Sequence, residues 1–271
     1  MLIAVIGGKL QGVEITYLAK KAGFDVLLID KNSDVPACGL CDQFLQANIM
    51  NNEEVSSHLE KSDIIFPAFE NLEGLTHLNQ LCLQLNKPFV FDLNAYRTST
   101  SKLDSDRLFA ELQLPQPTLW PECRFPVVVK PSEGSGSEGV QIFNSYNEAS
   151  HHYTNQFPPI GSVVQQYIEG PSYSIEVIGA LGNYLPFQIT KLGMDVAYDC
   201  KRVTAPVDLS ETLTRQFESL AIKIADQLNL KGIMDVEVIL HDNQLKILEI
   251  GKKIFEVMSF NESILVTKVI T

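Results

Sequence analysis

Lys130 stands at the end of an apolar run, Val127-Val-Val129, and before Pro131 and a segment built from Ser132, Gly134, Ser135, Gly136, Ser137 and Gly139. The valines read as a buried strand, because β-branched side chains pack well on a pleated surface. Pro131 ends that strand, since proline cannot donate to a ladder. A Gly/Ser loop of this kind can close over phosphates with its backbone N–H groups, while the lysine supplies a point charge. The lysine precedes the glycines, the reverse of a Walker P-loop, where it follows them at a helix start. The same residues also fit an ordinary flexible hairpin after an edge strand.

A second constellation is acidic. Gly232 to Leu240 and Leu245 to Ile250 read as two strands joined by a turn at Asp242-Asn-Gln244. Asp235 and Glu237 fall on one strand face, and a three-residue loop would set Glu249 opposite Glu237. Carboxylates that close repel unless a cation or proton lies between them. Magnesium takes few protein carboxylates together with nucleotide phosphates, so the pair reads as the metal end of a nucleotide site. Two acids on the wet face of an edge hairpin is the alternative. Glu176 lies within Tyr173-Ser-Ile-Glu-Val-Ile178, where alternation puts it on one face with Ser174 and Ile178. An acid centred in a strand is costly without a partner, so it is a ligand contact or half of an internal ion pair. Lys201 and Arg202, in the irregular stretch Lys191 to Pro206, either face an anion or belong to a solvated loop.

The elements that must position these groups begin at the N-terminus. Leu2-Ile-Ala-Val-Ile6 is a continuous apolar run of the parallel-sheet kind. Gly7-Gly8-Lys9-Leu10-Gln11-Gly12 turns it into a helix through about Ala22, and Leu27-Leu-Ile29 leads to Asp30, where a ribose hydroxyl is often held. Lys9 replaces the central glycine of the dinucleotide fingerprint, which makes the unit Rossmann-like and argues against a nicotinamide cofactor. Ile64-Ile-Phe66 is a further strand, with Glu70 beyond its carboxyl end, the ligand-facing edge of such sheets. Leu75, Leu78, Leu81, Cys82 and Leu85 recur at helical spacing and read as core, while Glu53 and Glu54 read as a solvated helix start. Phe89-Val-Phe91 is expected to close the first unit as a strand near Asp92. Thr98-Ser-Thr-Ser101 is expected to cap a helix through Lys102, Phe109 and Leu112, ended by Pro115 and Pro117. From Glu211, the stripe Leu213, Phe217, Leu220, Ala221, Ile224 and Leu228 marks another helix.

A chain of 271 residues suits two packed units. Its formal charge of −12 opposes a nucleic-acid partner, whose phosphates it would repel. No apolar stretch is long enough to span a bilayer, and the N-terminus runs into a strand without a basic leader. Five cysteines, an odd number in a large chain, suggest free thiols in a reducing cytoplasm. Cys38-x-x-Cys41 lacks a second pair with zinc-ligand spacing.

The order of these pieces resembles the ATP-grasp superfamily: a Rossmann-like domain, strand-Lys-Pro with its Gly/Ser loop, a glutamine-rich hinge at Val163-Val-Gln-Gln-Tyr-Ile168, Asp-x-Glu, then Leu-Glu-Ile. Ala4-Val-Ile-Gly-Gly-Lys-Leu-Gln-Gly12, Tyr17-Leu-Ala-Lys-Lys-Ala-Gly23, Ile29-Asp-Lys-Asn32, Tyr198-Asp-Cys200 and Lys231-Gly-Ile-Met-Asp-Val-Glu237 resemble, more closely, the pyrrolysine-biosynthesis ligases. The resemblance implies an α/β chain with a Rossmann-like preATP-grasp domain at residues 1–94 and a two-subdomain α+β ATP-grasp domain at residues 95–250. It implies a cytoplasmic enzyme that uses ATP and Mg²⁺ to join 3-methyl-D-ornithine to the ε-amine of L-lysine through an acyl phosphate. Lys102 and Lys130 would meet the phosphates under a loop containing Ser132, Gly134 and Ser135. Gln165, Gln166, Tyr167 and Ile168 would hold adenine, and Asp235, Glu237 and Glu249 the metal, with Lys130, Glu237 and Glu249 carrying catalysis. Lys9, counted with Asp30 among the cofactor contacts, would lie with Leu10, Gln11 and Glu70 near the amino-acid substrates. Glu176, Tyr198 and Asp199 would reach the substrates' ammonium groups.

The resemblance stops after Ile250. There the family continues with an acidic residue, an arginine and a further segment, whereas this chain reads Gly-Lys-Lys-Ile-Phe-Glu and stops at Thr271. Residues 251–271 are therefore expected to be an aberrant tail, leaving the C-terminal part incomplete. Competing readings are an ATP-grasp ligase for other amino acids, of the D-alanine–D-alanine type, and an ATP- or amino-acid-binding remnant without turnover. An NAD-dependent dehydrogenase is weakened by Lys9 and by the lack of a convincing catalytic histidine.

Overall fold

Leu2–Ile6, apolar throughout, form strand β1, and Ile3 to Ile6 are 3% exposed or less. The computed structural model describes residues 1–133, 139–154, 156–180, 182–195, 198 and 200–251. They form two units, residues 1–93 with 231–233 and residues 94–230 with 234–251. The expected aberrant tail, apart from Gly251, lies outside the described residues.

In the first unit β1 is followed by α1 (Leu10–Lys21), β2 (Asp25–Asp30), β3 (Gln43–Gln46), α2 (Asn52–Leu59), β4 (Ile64–Pro67) and α3 (Leu72–Gln84). The sheet order is β3-β2-β1-β4, with every pairing parallel. Parallel strands covered by helices bury both faces, which is why β1 and β2 are apolar without alternation. Val55 and Leu59 of α2 and Leu78, Leu81 and Cys82 of α3 share one core with Ala4, Ile6, Leu27, Ile29 and Ile65. Asn71 starts α3 by accepting a hydrogen bond from the Gly74 N–H. Gly12 is required by a close approach, since a Cβ there would sit 2.1 Å from the Gly7 carbonyl oxygen.

One expectation for this unit is corrected. Phe89-Val-Phe91 is no strand: Phe89 makes an isolated parallel bridge to Ile65, and Pro88 immediately before it has no N–H to extend the ladder. The short edge strand β3, Gln-Phe-Leu-Gln, gave no sequence signal, because its four residues do not alternate and are mostly exposed.

The second unit holds α4 (Leu93–Thr100), α5 (Lys102–Glu111), β5 (Val127–Pro131), β6 (Gln141–Phe143), α6 (Tyr146–His152) and β7 (Ser162–Gln166). These are followed by β8 (Ser172–Ala180), β9 (Asn183–Met194), β10 (Cys200–Thr204), α7 (Glu211–Gln227), β11 (Gly232–His241) and β12 (Gln244–Gly251). One sheet has three strands in the order β6-β5-β7, and the other has five in the order β10-β9-β8-β11-β12. Phe217, Ala221 and Ile224 of α7 pack on Ile175, Val177, Val236, Val238, Ile247 and Ile250 of the five-stranded sheet. That apolar face takes alternate residues, so Ser174, Glu176 and Glu237 fall on the other.

Three local expectations change here. Thr98 to Thr100 close α4, a helix without a strong apolar stripe, and Ser101 alone caps α5 by accepting from the Asp104 N–H. The stretch Lys191 to Pro206, expected to be irregular, contains the end of β9 and an exposed antiparallel edge strand, β10. An edge strand reading Cys-Lys-Arg-Val-Thr has no apolar face to announce it. The β11–β12 hairpin closes through two residues, Asp242 and Asn243, both with positive φ, and not through three.

Phe217 is fully buried. Phe217→Ala is expected to cost about 3–5 kcal/mol of stability. In urea unfolding this appears as a lower midpoint with an unchanged slope.

Candidate functional site: a cavity between two sheets

The carboxylate pair depends on a bulge. A two-residue turn sets Val238 opposite Ile247, and the register then shifts so that Glu237 faces Glu249. Leu248 is the extra residue. Ile247 and Ile250 enter the core under α7, whereas Leu248 and Glu249 both line a cavity on the opposite face. Strict alternation would have turned Glu249 to the same side as Ile247, so the bulge is what aims it.

The cavity, about 260 Å³, lies between the two sheets of the second unit. Val128 and Ile142 wall it from the three-stranded sheet, and Ile239 and Leu248 from the five-stranded one. Lys102, Lys130, Glu237 and Glu249 supply its charge, and Gln165 to Gly170 form one edge. That edge is pinned through its backbone: the Gln166 N–H donates to the Thr118 carbonyl at 2.8 Å and the Tyr167 N–H to the Pro126 carbonyl at 3.0 Å.

Lys130 is only 7% exposed and donates from Nζ to the Leu248 carbonyl at 3.3 Å. Burial pulls its pKa below the usual lysine range, and Asp106, then Glu249, act against that pull. The base of the Gly/Ser segment is anchored beside it. The Ser132 carbonyl accepts from the Lys102 N–H at 2.8 Å, and the Ser132 N–H donates to the Gly161 carbonyl. Glu133 bridges to Ser101. Ser132 thus fixes the stem of the segment and is not among the cavity-lining residues. Gly134 and Ser135 lie outside the described residues, as does Asp199.

Other expected residues lie elsewhere. Asp235 is 1% exposed, and a Cβ on its register partner Gly251 would come within 2.3 Å of its Oδ1. It sits one strand repeat, roughly 6.5–7 Å, behind Glu237, so it does not join the carboxylate pair in the cavity. Among the described residues no group of three or more His, Cys, Asp or Glu side chains could hold a metal ion. Of the three carboxylates expected at the metal, Glu237 and Glu249 line the cavity and Asp235 does not. Glu176 is buried at an irregularity between Ile175 and Val177 and does not line the cavity. Tyr198, expected near the amino-acid substrates, lines the cavity. Its hydroxyl donates to the Tyr167 hydroxyl at 3.5 Å, and this bond pushes its own pKa up to about 12.

The remaining candidates belong to the first unit. Asp30 accepts from the Gly8 N–H through Oδ2 and from the Asn32 N–H through Oδ1, both at 2.8 Å. It braces the β1–α1 turn. Gln11 donates to Glu70 at 2.9 Å, Lys9 is the N-cap residue of α1, and Leu10 is 74% exposed.

Asp106 was missed. It lies on α5 one turn after Lys102, is 7% exposed, and its Oδ2 has no hydrogen-bond partner among the described residues. Burial pushes its pKa up to about 6, against the pull of Lys130 and Lys102, with Glu249 adding to the rise. The signal was the i, i+4 spacing of Lys102 and Asp106, which places both on one helix face.

Three comparisons bear on these residues. The ATP-grasp domain family matches residues 100–254. The chain is 39% identical over 253 residues to the 3-methyl-D-ornithine–L-lysine ligase of Methanosarcina mazei, covering 93% of this chain and 65% of that one. It is 36% identical over 253 residues to the ligase of the same name from Methanosarcina acetivorans, covering 93% of this chain and 66% of that one. The chain thus spans slightly under two-thirds of the length of these relatives. A solved biotin carboxylase domain of the Hydrogenobacter thermophilus 2-oxoglutarate carboxylase, in complex with MgADP, ADP and bicarbonate, matches with a TM-score of 0.78 at 17% identity. That match covers 94% of this chain and 64% of the other and is a likeness of fold.

The raised pKa of Asp106 has a calculable sign. Its charged form is disfavoured in the folded chain, so the carboxylate costs stability above pH 6, and the cost fades as pH falls through 6 toward the ordinary aspartate value of 3.8. Asp106→Asn is expected to raise the thermal unfolding midpoint at pH values above 6. The difference from the parent chain should close below about pH 4 in a pH series of melts.

Proposed function

We propose that this chain, which belongs to the ATP-grasp family, binds a magnesium nucleotide in the cavity of its second unit. We infer further that it serves as an ATP-dependent carboxylate–amine ligase of pyrrolysine biosynthesis. The observation that carries the nucleotide reading is the meeting of Lys130 and Lys102 with the Glu237–Glu249 pair on the walls of one apolar cavity. The named Methanosarcina ligases support 3-methyl-D-ornithine and L-lysine as the substrates.

The residues fit the group. Two facing carboxylates repel unless a cation joins them, and magnesium is held by one or two carboxylates plus phosphate oxygens. Glu237 and Glu249 would hold it, and the ion would offset phosphate charge during transfer. Lys130 and Lys102 meet the phosphates as point charges, and burial strengthens that attraction because little water competes. Val128, Ile142, Ile239 and Leu248 offer apolar surface for a base, with Gln165 to Ile168 at its edge. The nucleotide would phosphorylate the methylornithine carboxylate, and the lysine ε-amine would displace phosphate from the acyl phosphate. Nothing in this scheme needs an acid–base side chain of unusual strength; positioning and charge neutralisation carry phosphoryl transfer. In this reading residues 1–94 are the preATP-grasp domain, where Gln11 and Glu70 receive an amino acid, and residues 95–250 are the ATP-grasp domain.

ADP release with ATP, Mg²⁺, L-lysine and 3-methyl-D-ornithine, together with mass spectrometry of the amide, tests the ligase. The assay is run on this chain and on one extended by the corresponding C-terminal segment of the Methanosarcina mazei relative. ADP and amide from either chain are the expected result. ADP formed only with other amino-acid pairs would move the assignment to a different ligase, and nucleotide binding without ADP from both chains would mark a binding protein. Glu249→Gln is expected to raise the Mg²⁺ concentration needed for half-maximal ADP binding at least several-fold, with little change in binding of adenosine. Equal Mg²⁺ dependence in the variant would remove Glu249 from the metal.

A further inference from the structure

We propose that His241 is a positioning residue of this site, holding the Gln165–Gly170 edge of the cavity against the end of β11 so that the edge meets a nucleotide base in a fixed place. The inference rests on reading the cavity as a nucleotide site and concerns its base end. His241 is the last residue of β11 and does not line the cavity, so it acts through what it holds. Its Nδ1 lies 2.8 Å from the Glu169 carbonyl oxygen. A carbonyl can only accept, so Nδ1 carries a proton and donates it. Nε2 lies 3.4 Å from Asp242 Oδ2, which brackets the ring on its other side.

Two backbone contacts join the edge to the same strand end. The Leu240 N–H donates to the Pro171 carbonyl at 3.0 Å. Gly170 passes so close that a Cβ there would sit 2.1 Å from the Leu240 carbonyl oxygen, an approach that only glycine permits. β7 ends at Gln166 and β8 starts at Ser172, so the residues between them belong to no strand. Their place is set by contacts and not by a ladder. Toward the three-stranded sheet those contacts are the Thr118 and Pro126 carbonyls; toward the five-stranded sheet they are Leu240 and the His241 ring.

This clamp sits where orientation has to be decided. Glu169 and Gly170 line the cavity, and so does Ile239, two residues before His241 on β11. Apolar walls accept a flat ring in many poses, whereas a few fixed polar groups select one. Backbone groups on an edge can select only while the edge stays put. The metal end is remote from this clamp: Glu237 precedes His241 by four residues, roughly 13 Å along the strand. A change at His241 should therefore be felt by the base and not by the phosphates.

The test measures binding to the full chain and to His241→Phe, His241→Ala and His241→Asn, at a temperature where melts show each one folded. Calorimetry reads MgADP, and magnesium pyrophosphate is titrated as its competitor. Phe keeps a ring without the donor, and Asn places an N–H donor where Nδ1 stands. His241→Phe and His241→Ala are expected to weaken MgADP about three- to tenfold, the worth of one net hydrogen bond. His241→Asn should recover most of that loss, and magnesium pyrophosphate should bind all four chains alike. MgADP affinity unchanged in His241→Phe and His241→Ala would overturn the proposal. An equal loss for pyrophosphate would do so too, because it would mean general loosening, as would His241→Asn binding no tighter than His241→Phe. Failure of the parent chain to bind MgADP or the pyrophosphate would instead overturn the nucleotide reading, and this proposal with it.

Discussion

A lysine ammonium withdrawn from water must be surrounded by opposite charge, and the second unit is arranged around that requirement. Lys130 ends β5, where three valines have already taken the backbone out of solvent. Its charge is sustained from two directions, by Asp106 on α5 and by Glu249 on β12. Neither carboxylate is near it in sequence. The two sheets and α5 must all be in place before the ammonium is compensated, so this local electrostatic demand is met only by the tertiary fold.

The five-stranded sheet makes this possible by having two unlike faces. Against α7 it presents Ile175, Val177, Val236, Val238 and Ile247, a dry layer that supplies cohesion. Toward the cavity it presents Glu237 and Glu249 among Ile239 and Leu248. Apolar walls lower the local dielectric and strengthen whatever the charged groups do there. In the first unit the corresponding economy lies in the backbone. Asp30 spends both oxygens on the N–H groups of Gly8 and Asn32, and so fixes the turn that carries Lys9, Leu10 and Gln11.

What was legible in the sequence was whatever depends on local pattern. The apolar runs of β1, β2 and β5 and the stripes of α3 and α7 are periodic enough to be read directly, and so is the lysine-first order of the loop. The Glu237–Glu249 pairing was also anticipated, but through a three-residue turn that does not exist. A two-residue turn and the bulge at Leu248 produce the same pairing, and a bulge leaves no mark in a hydrophobic pattern. Helical spacing could have grouped Asp106 with Lys102, but its burial depends on segments distant in sequence and could not be read from that pattern. Asp235 and Glu176 do not line the cavity with Glu237 and Glu249: an acid in a strand signals a special environment without saying which neighbours it meets. The edge strands β3 and β10 are short and mostly exposed, so neither shows the alternation that burial of one face imposes.

The bulge at Leu248 also constrains how this hairpin can change in length. Because side chains alternate with a period of two, facing is a matter of parity, and the bulge is the one step that reverses it between Ile247 and Glu249. Gaining or losing one residue between Asp242 and Ile247 would exchange core and cavity for everything beyond, sending Glu249 inward and Ile250 out. Insertions and deletions here are therefore acceptable in pairs, or singly only when a compensating bulge appears or vanishes. Among descendants of such a chain, the turn and the bulge are expected to vary as one heritable unit.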